Sequence, residues 1–130
     1  RGVRVEVEER RERRAPVRGD AVQLQQVLVN LLLNAADAMR ALPPEQRVVR
    51  IQLGGTDGRV LLGVTDVGPG LPPDVATRVF DPFFTTKPDG LGLGLSLSRT
   101  IVEAHGGRLA VTGTSGRATT FTIDLPVEAP

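Results

Sequence analysis

Asp66-Val67-Gly68-Pro69-Gly70 places one carboxylate beside two glycines in a short turn. Such a turn lets the backbone approach a flat ligand closely while the acid accepts a hydrogen bond from it. Further along, Gly90-Leu91-Gly92-Leu93-Gly94 alternates glycine with leucine directly before Leu95-Ser96-Leu97-Ser98, where a helix is expected to open. The first N–H groups of a helix have no intrahelical partner, and its positive dipole end attracts anions, so phosphate is the natural occupant there. The ending Gly-Lys-Ser/Thr is missing and no Gly-x-Gly-x-x-Gly follows a strand, which excludes the P-loop and the dinucleotide fingerprint.

The third chemical element is a row of amides. At ~100° per residue, Gln23, Gln26, Asn30, Asn34 and Asp37 fall within a stripe of about 80° on one predicted helix. Leu24, Val27, Leu28, Leu31, Leu32, Ala35, Ala38 and Met39 flank it on one side, and Val29, Leu33 and Ala36 on the other. A polar stripe between apolar flanks is either a seam satisfied by neighbouring backbone or a site that offers neutral oxygens to a metal ion or ligand. Asp66 likewise reads as a plain turn residue or as the acceptor for an exocyclic amine such as adenine carries. Taken together, the two turns and the stripe are the parts of a site for a purine nucleotide with its magnesium.

Between the glycine turns lies Phe80-Asp81-Pro82-Phe83-Phe84-Thr85-Thr86-Lys87, which holds three of the chain's four phenylalanines and its only lysine. This block reads as a plug pinning a long proline-rich loop and, compatibly, as the hinge of a lid, with Thr85, Thr86 and Lys87 able to meet phosphates.

The elements that would position these groups are legible from pattern. Val3, Val5 and Val7 alternate with Arg4, Glu6 and Glu8, the period of a half-buried strand, and Pro16 to Arg18 is a second short strand. Asp20 is a natural N-cap for a helix from Ala21 to Met39, which Pro43-Pro44 stops. Val48 to Leu53 and Arg59 to Thr65 form strands joined by a loop over Gly54 to Gly58. A turn of helix is expected at Pro73 to Val79, and a second helix over Leu95 to His105, closed by Gly106-Gly107. Leu109 to Thr112 and Thr119 to Leu125 make the last hairpin. This order predicts an α+β two-layer sandwich, with helices on one face of a mainly antiparallel, mixed sheet and a lid over about residues 71–94.

Composition bounds the rest. The chain has 130 residues, enough for one domain, with 40% hydrophobic and 24% charged residues. The absence of cysteine excludes disulfides and thiolate metal sites. A net charge of +1 argues against nucleic acid as a partner. The cluster Arg10, Arg11, Arg13 and Arg14 is interleaved with Glu8, Glu9 and Glu12, and reads as a solvated strand-turn-strand. No apolar run approaches the ~20 residues of a membrane span, so no membrane contact is expected of this domain. A chain starting at Arg1 rather than Met is expected to be part of something longer.

These blocks, in this order, resemble the catalytic ATP-binding domain of sensor histidine kinases, the Bergerat-type fold shared with gyrase B, mismatch-repair ATPases and a heat-shock chaperone. Gln25 to Met39 looks like the family's asparagine box and Asp66 to Gly70 like its first glycine box. Phe80 to Lys87 looks like its phenylalanine box and Gly90 to Gly94 like its second glycine box. Ser96 to Gly107 is a similar continuation. The resemblance implies transfer of the γ-phosphoryl group of ATP to a histidine on a separate helical phosphoacceptor and dimerisation domain, with a response regulator downstream. The implied setting is cytoplasmic, in a parent protein that is membrane-anchored in some members.

The resemblance implies roles residue by residue. Asn34 would hold magnesium, with Asn30 near the metal and phosphates, and Asn30, Asn34 and Lys87 would form the catalytic set. Asp66 would bind the adenine amine, next to Gly68 and Gly70, with Thr119 joining that network. Phe83, Thr85, Thr86, Lys87, Gly90, Gly92, Leu93, Gly94 and Leu95 would shape the lid around the triphosphate. Asp37-Ala38 departs from the basic-aromatic pair of many members, which leaves Asp37 either near the metal's waters or capping a neighbour. His105 at a helix end is expected to be a packing or dipole residue rather than the phosphoacceptor. Rival readings are a nucleotide-hydrolysing ATPase or serine kinase of the same superfamily, and a degenerate nucleotide-binding module. Hydrolysing relatives place a glutamate base where Asn30 stands, and an amide cannot take that proton at neutral pH.

Overall fold

The computed structural model describes residues 2–9, 19–56, 58–84, 94–115 and 118–127. Its longest helix, α1 (Ala21–Ala38), begins where the Asp20 side chain accepts from the Gln23 N–H at 3.1 Å. It ends at Met39, and Pro44 then opens a single 3-10 turn over Pro44–Gln46. Val27, Leu31 and Ala35 recur every fourth position along the buried face, and Met39 extends it.

Five strands form one mixed sheet: β1 (Arg4–Glu9), β2 (Val48–Thr56), β3 (Arg59–Asp66), β4 (Arg108–Ser115) and β5 (Ala118–Pro126), in the order β1-β2-β3-β5-β4. Only β1 and β2 pair in parallel; the other neighbours are antiparallel. The helix α3 (Gly94–Ala104) shares a face of the sheet with α1, and a single helical turn, α2 (Pro73–Ala76), precedes the phenylalanine block. The core lies between layers, where Val27, Leu31, Ala35, Met39 and Val102 of the helices and the residue following α1 meet Val49, Val64, Leu109, Phe121 and Ile123 of the strands. The opposite sheet face is polar, with Thr65 against Thr120 (2.9 Å), Thr112 against Thr122 (2.7 Å) and an Arg59–Asp124 ion pair.

The α+β two-layer sandwich expected from the sequence is the architecture observed. Several details differ. The strands β2 and β3 continue through Gly54, Gly55 and Thr56, so the hairpin connection is tighter than a Gly54–Gly58 loop. The alternating valines are not uniformly inward: Val3, just before β1, packs against the core, whereas Val5 and Val7 of β1 are largely exposed. The reason is position: α1 packs mainly on β3 and, less, on β2, and β1 lies beyond them at the edge of the described sheet. The expected strand at Pro16 to Arg18 lies outside the described residues.

Candidate nucleotide site

Asp66 is the last residue of β3, in register with Val49 on one side and Thr119 of β5 on the other. It is 2% exposed, and Thr119 is 4% exposed. The Oδ1 of Asp66 accepts from the Gly68 N–H at 2.8 Å, which closes the turn on itself. Among the described residues Oδ2 and the Thr119 hydroxyl have no hydrogen-bond partner. Burial pushes the Asp66 pKa above its ordinary value, against a smaller lowering by the Gly68 N–H. A buried carboxylate with one oxygen unsatisfied costs free energy until a donor arrives.

The glycines let the turn pack tightly against the protein itself. A Cβ at Gly68 would lie 2.8 Å from the Ala38 carbonyl oxygen and 3.0 Å from Asp66 Oδ1, so the turn is pressed against the end of α1. Gly70 has φ +80, which a side chain would resist.

From that end, α1 runs back along the site as a bar. Asn34 lies one turn before Ala38 and Asn30 one turn earlier, about 12 Å from Ala38 to Asn30 along the axis. Half-buried Asn34 has no hydrogen-bond partner among the described residues. Asn30 is fully engaged instead. Its Nδ2 donates to the Ser98 Oγ at 3.2 Å and, at the 3.5 Å limit, to the Gly94 carbonyl, while its Oδ1 accepts from Gln26 Nε2 at 3.0 Å. A carbonyl only accepts, so this arrangement orients the amide. Asp37 is exposed and faces Arg40 at 3.7 Å.

The three rings of the phenylalanine block differ in their surroundings. Phe80 packs edge-on against Phe121, with centroids 6.0 Å apart, and carries the Arg99 guanidinium over its ring. Phe84 lies under Arg78. Phe83 points outward, 73% exposed, with φ +66. Leu95 is half-buried against the core. Thr85, Thr86, Lys87, Gly90, Gly92 and Leu93 lie outside the described residues.

Thus the fold brings Asp66, Gly68 and Thr119 together, and joins Asn30 to Gly94. Ser98, 0% exposed, was not singled out in the sequence as a partner of Asn30. The only available signal was a serine on an otherwise apolar helix face. Gly94 also differs from expectation: it is the first residue of α3, and a Cβ there would meet nothing within 4 Å.

Magnesium fits this donor set. Among the described residues no group of three or more His, Cys, Asp or Glu could hold a metal ion. Mg²⁺, however, is commonly held by one or two protein oxygens together with substrate phosphates and waters. The unpartnered Asn34 amide suits that arrangement better than Asn30, whose oxygen already has a donor.

This combination defines an ATP-binding catalytic domain of the kind found in histidine kinases. The family model for histidine kinase-, DNA gyrase B- and HSP90-like ATPases matches residues 19–129, and the chain belongs to that family. It is 44% identical over 108 residues to the sensor protein TdiS of Thauera aromatica, covering 82% of this chain and 20% of TdiS. The chain therefore spans about a fifth of that curated relative. The solved catalytic domain of histidine kinase ThkA superposes with a TM-score of 0.82 at 31% identity, covering 97% of this chain and 80% of that one. Full-length ShkA in complex with AMPPNP superposes at 0.79 with 29% identity, covering 99% and 26%. No helix among the described residues is long and apolar enough to cross a membrane.

Proposed function

We propose that this chain binds ATP with magnesium and transfers the γ-phosphoryl group to a histidine on a separate helical domain, as the catalytic module of a longer two-component sensor kinase. The observation that carries the reading is Asp66 Oδ2, buried at the end of β3 without a described donor, where an adenine amine supplies one. Asp66 and Thr119 hold the base, while Gly68 and Gly70 keep its approach clear of side chains. Asn34 would contribute the protein oxygen that holds magnesium, which would supply charge neutralisation at the phosphates. Asn30 fixes the start of α3, where the second glycine box ends; the lid expected over about residues 71–94 has its phosphate-meeting residues, Thr85, Thr86 and Lys87, outside the described residues. Phosphoryl transfer asks mostly for positioning and charge stabilisation of the protein, which is what this set supplies.

The acceptor is external. Both nitrogens of His105, the sole histidine, are engaged within the fold: Nε2 with the Asp20 N–H and Nδ1 with the Ile101 carbonyl. A response regulator is the expected downstream partner, consistent with the ThkA structure solved in complex with the response regulator TrrA.

The test incubates the chain with labelled ATP and magnesium, alone and with a histidine-bearing helical domain. Label is expected on the added domain only, with little hydrolysis in its absence. Stable label on the isolated chain, or rapid ATP hydrolysis by it, overturns the assignment.

A further inference from the structure

The stretch ending in His105-Gly106-Gly107 is not used by the nucleotide chemistry, yet its geometry is specific. Gly106, at φ +77, donates to the Glu103 carbonyl, and the Gly107 N–H reaches back to the Val102 carbonyl, both at 3.0 Å. This is a Schellman ending, with His105 as the capping residue of α3. It turns the imidazole toward the start of α1. There the Asp20 N–H donates to Nε2 at 3.0 Å, while Nδ1 lies 2.7 Å from the Ile101 carbonyl oxygen. A backbone N–H only donates and a carbonyl only accepts, so Nε2 must be bare and Nδ1 must carry the proton. The ring is therefore neutral and in a single tautomer. The imidazolium form would set an N–H against an N–H.

The tie has a matched partner along the same helix pair. The Asn30 amide holds α1 to Gly94 and Ser98, near the beginning of α3. The two helices thus run antiparallel, fastened at Asp20–His105 and again about 15 Å further along α1. Between and beyond these ties sit the groups that face a nucleotide, above all Asn34 on α1 and the first turn of α3. The Asp20 carboxylate is occupied separately by the Gln23 N–H, so the cap and the tie use different atoms of one residue. Gly19 completes the fit. A Cβ there would overlap His105 Cδ2 and stand 2.7 Å from Nε2.

We propose that His105 is a positioning residue for the nucleotide site: as the neutral Nδ1–H tautomer it fastens the N-terminal cap of the asparagine helix to the end of α3, and so fixes the crossing of the two helices that the nucleotide requires. The inference rests on the nucleotide reading given above. Without the tie, the polar contacts of α3 with α1 among the described residues are those at the Asn30 end, so the His105 end of α3 can swing about Ser98 and tilt the first turn of the helix.

The test has two arms. In the nucleotide-free chain labelled with nitrogen-15, His105 should show a protonated Nδ1 and a bare Nε2, with slow exchange of the Asp20 amide. In His105→Ala that amide should exchange faster and the amides of Gly94 to Ser98 should shift. In the second arm, His105→Ala should bind ATP about five-fold more weakly, the factor given by one net hydrogen bond of about 1 kcal/mol. His105→Gln, whose Oε1 can accept from the Asp20 N–H, should remain within about two-fold of the unchanged chain. Gly19→Ala alone should weaken ATP by displacing the ring, and adding it to His105→Ala should cost little further, since only the contact with Leu24 Cδ1 at 3.1 Å then remains. Melting curves identify any variant that has lost its fold, and the tautomer is read on the unchanged chain. A protonated Nε2, undiminished ATP binding by folded His105→Ala, or fully additive losses in the double variant overturns the proposal. Failure of the unchanged chain to bind ATP sinks the nucleotide reading instead, and the first arm still decides whether the tie exists.

Discussion

Asp66→Asn should move stability and affinity in opposite directions, because burial penalises the charge that the nucleotide uses. In the ligand-free protein the raised pKa of Asp66 means that the folded state binds its proton more tightly than the unfolded chain, for which the ordinary value is 3.8. Stability from that proton is fully present below the unfolded value and lost as pH rises through the folded one. At neutral pH the ionised side chain therefore costs stability. Asparagine keeps an oxygen for the Gly68 N–H, at 2.8 Å in the parent, and places a neutral amide where Oδ2 was. The variant should melt higher than the parent at neutral pH, and the difference should narrow as acid protonates Asp66. Affinity should go the other way. Adenine presents an amine, so the new NH₂ sets donor against donor, at a cost of about 1–3 kcal/mol or a five- to 150-fold loss. Guanine presents an acceptor at the equivalent position and should gain relative to adenine. Calorimetric titration with ATP and GTP, beside melting curves across pH, reads both effects. Unchanged ATP affinity with unchanged base preference would remove Asp66 from the site. A variant that melts lower at neutral pH would refute the claim that its charge is uncompensated.

Four further outcomes follow from the same geometry. Asn34→Ala should weaken ATP binding in magnesium while leaving ADP binding in chelator nearly unchanged; identical magnesium dependence in parallel titrations would remove the metal assignment. Gly68→Ala drives a Cβ against the Ala38 carbonyl and should destabilise the fold by about 1–3 kcal/mol in denaturant melts. Gly94→Ala meets open space in the first turn of α3 and should leave the ligand-free melt unchanged or slightly raised, so any loss of ATP affinity reports the approach of ligand rather than damage. Leu31→Ala removes a fully buried side chain of α1 and should cost about 2–5 kcal/mol, measured by the same melts.

Much of this was legible because it is carried by local pattern. The arc of Val27, Leu31 and Ala35, the cap at Asp20 and the close of α3 at Gly106 follow from periodicity and turn chemistry, and each is where those rules place it. The stripe through Asn30 and Asn34 was visible as a stripe. What it contacts was not, since period reveals a face and not the element opposite. Asn30 has found a structural partner in Ser98, a residue 68 positions away, whereas Asn34 has none among the described residues. Of the two readings left open for the amides, Asn30 meets the structural one, and the ligand reading is the one proposed for Asn34. The meeting of Asp66 with Thr119 depends on β-register between distant strands, which alternation cannot specify. The outward faces of Val5 and Val7 reflect how far the helix layer extends over β1, again a tertiary property.

The buried polar groups separate structure from site. Asp66, Ser98 and Thr119 are the buried polar or charged residues among those described. Ser98 is satisfied by Asn30 and tightens the helix pair. Among the described residues, Asp66 keeps one oxygen without a donor, and the Thr119 hydroxyl opposite it in register has no partner either. Two unsatisfied groups in register at the end of β3 are the cost that the proposed binding site would carry without its ligand. Ligand that satisfies them should return that cost as stability, by RT ln(1 + [L]/Kd), about 2.7 kcal/mol at a hundred-fold excess over Kd. Melting temperature should accordingly rise with ATP concentration in the parent and rise much less in Asp66→Asn, although that variant starts from the higher value. Equal ATP-induced shifts in the two proteins would mean that the nucleotide stabilises the fold from somewhere other than the edge formed by Asp66 and Thr119.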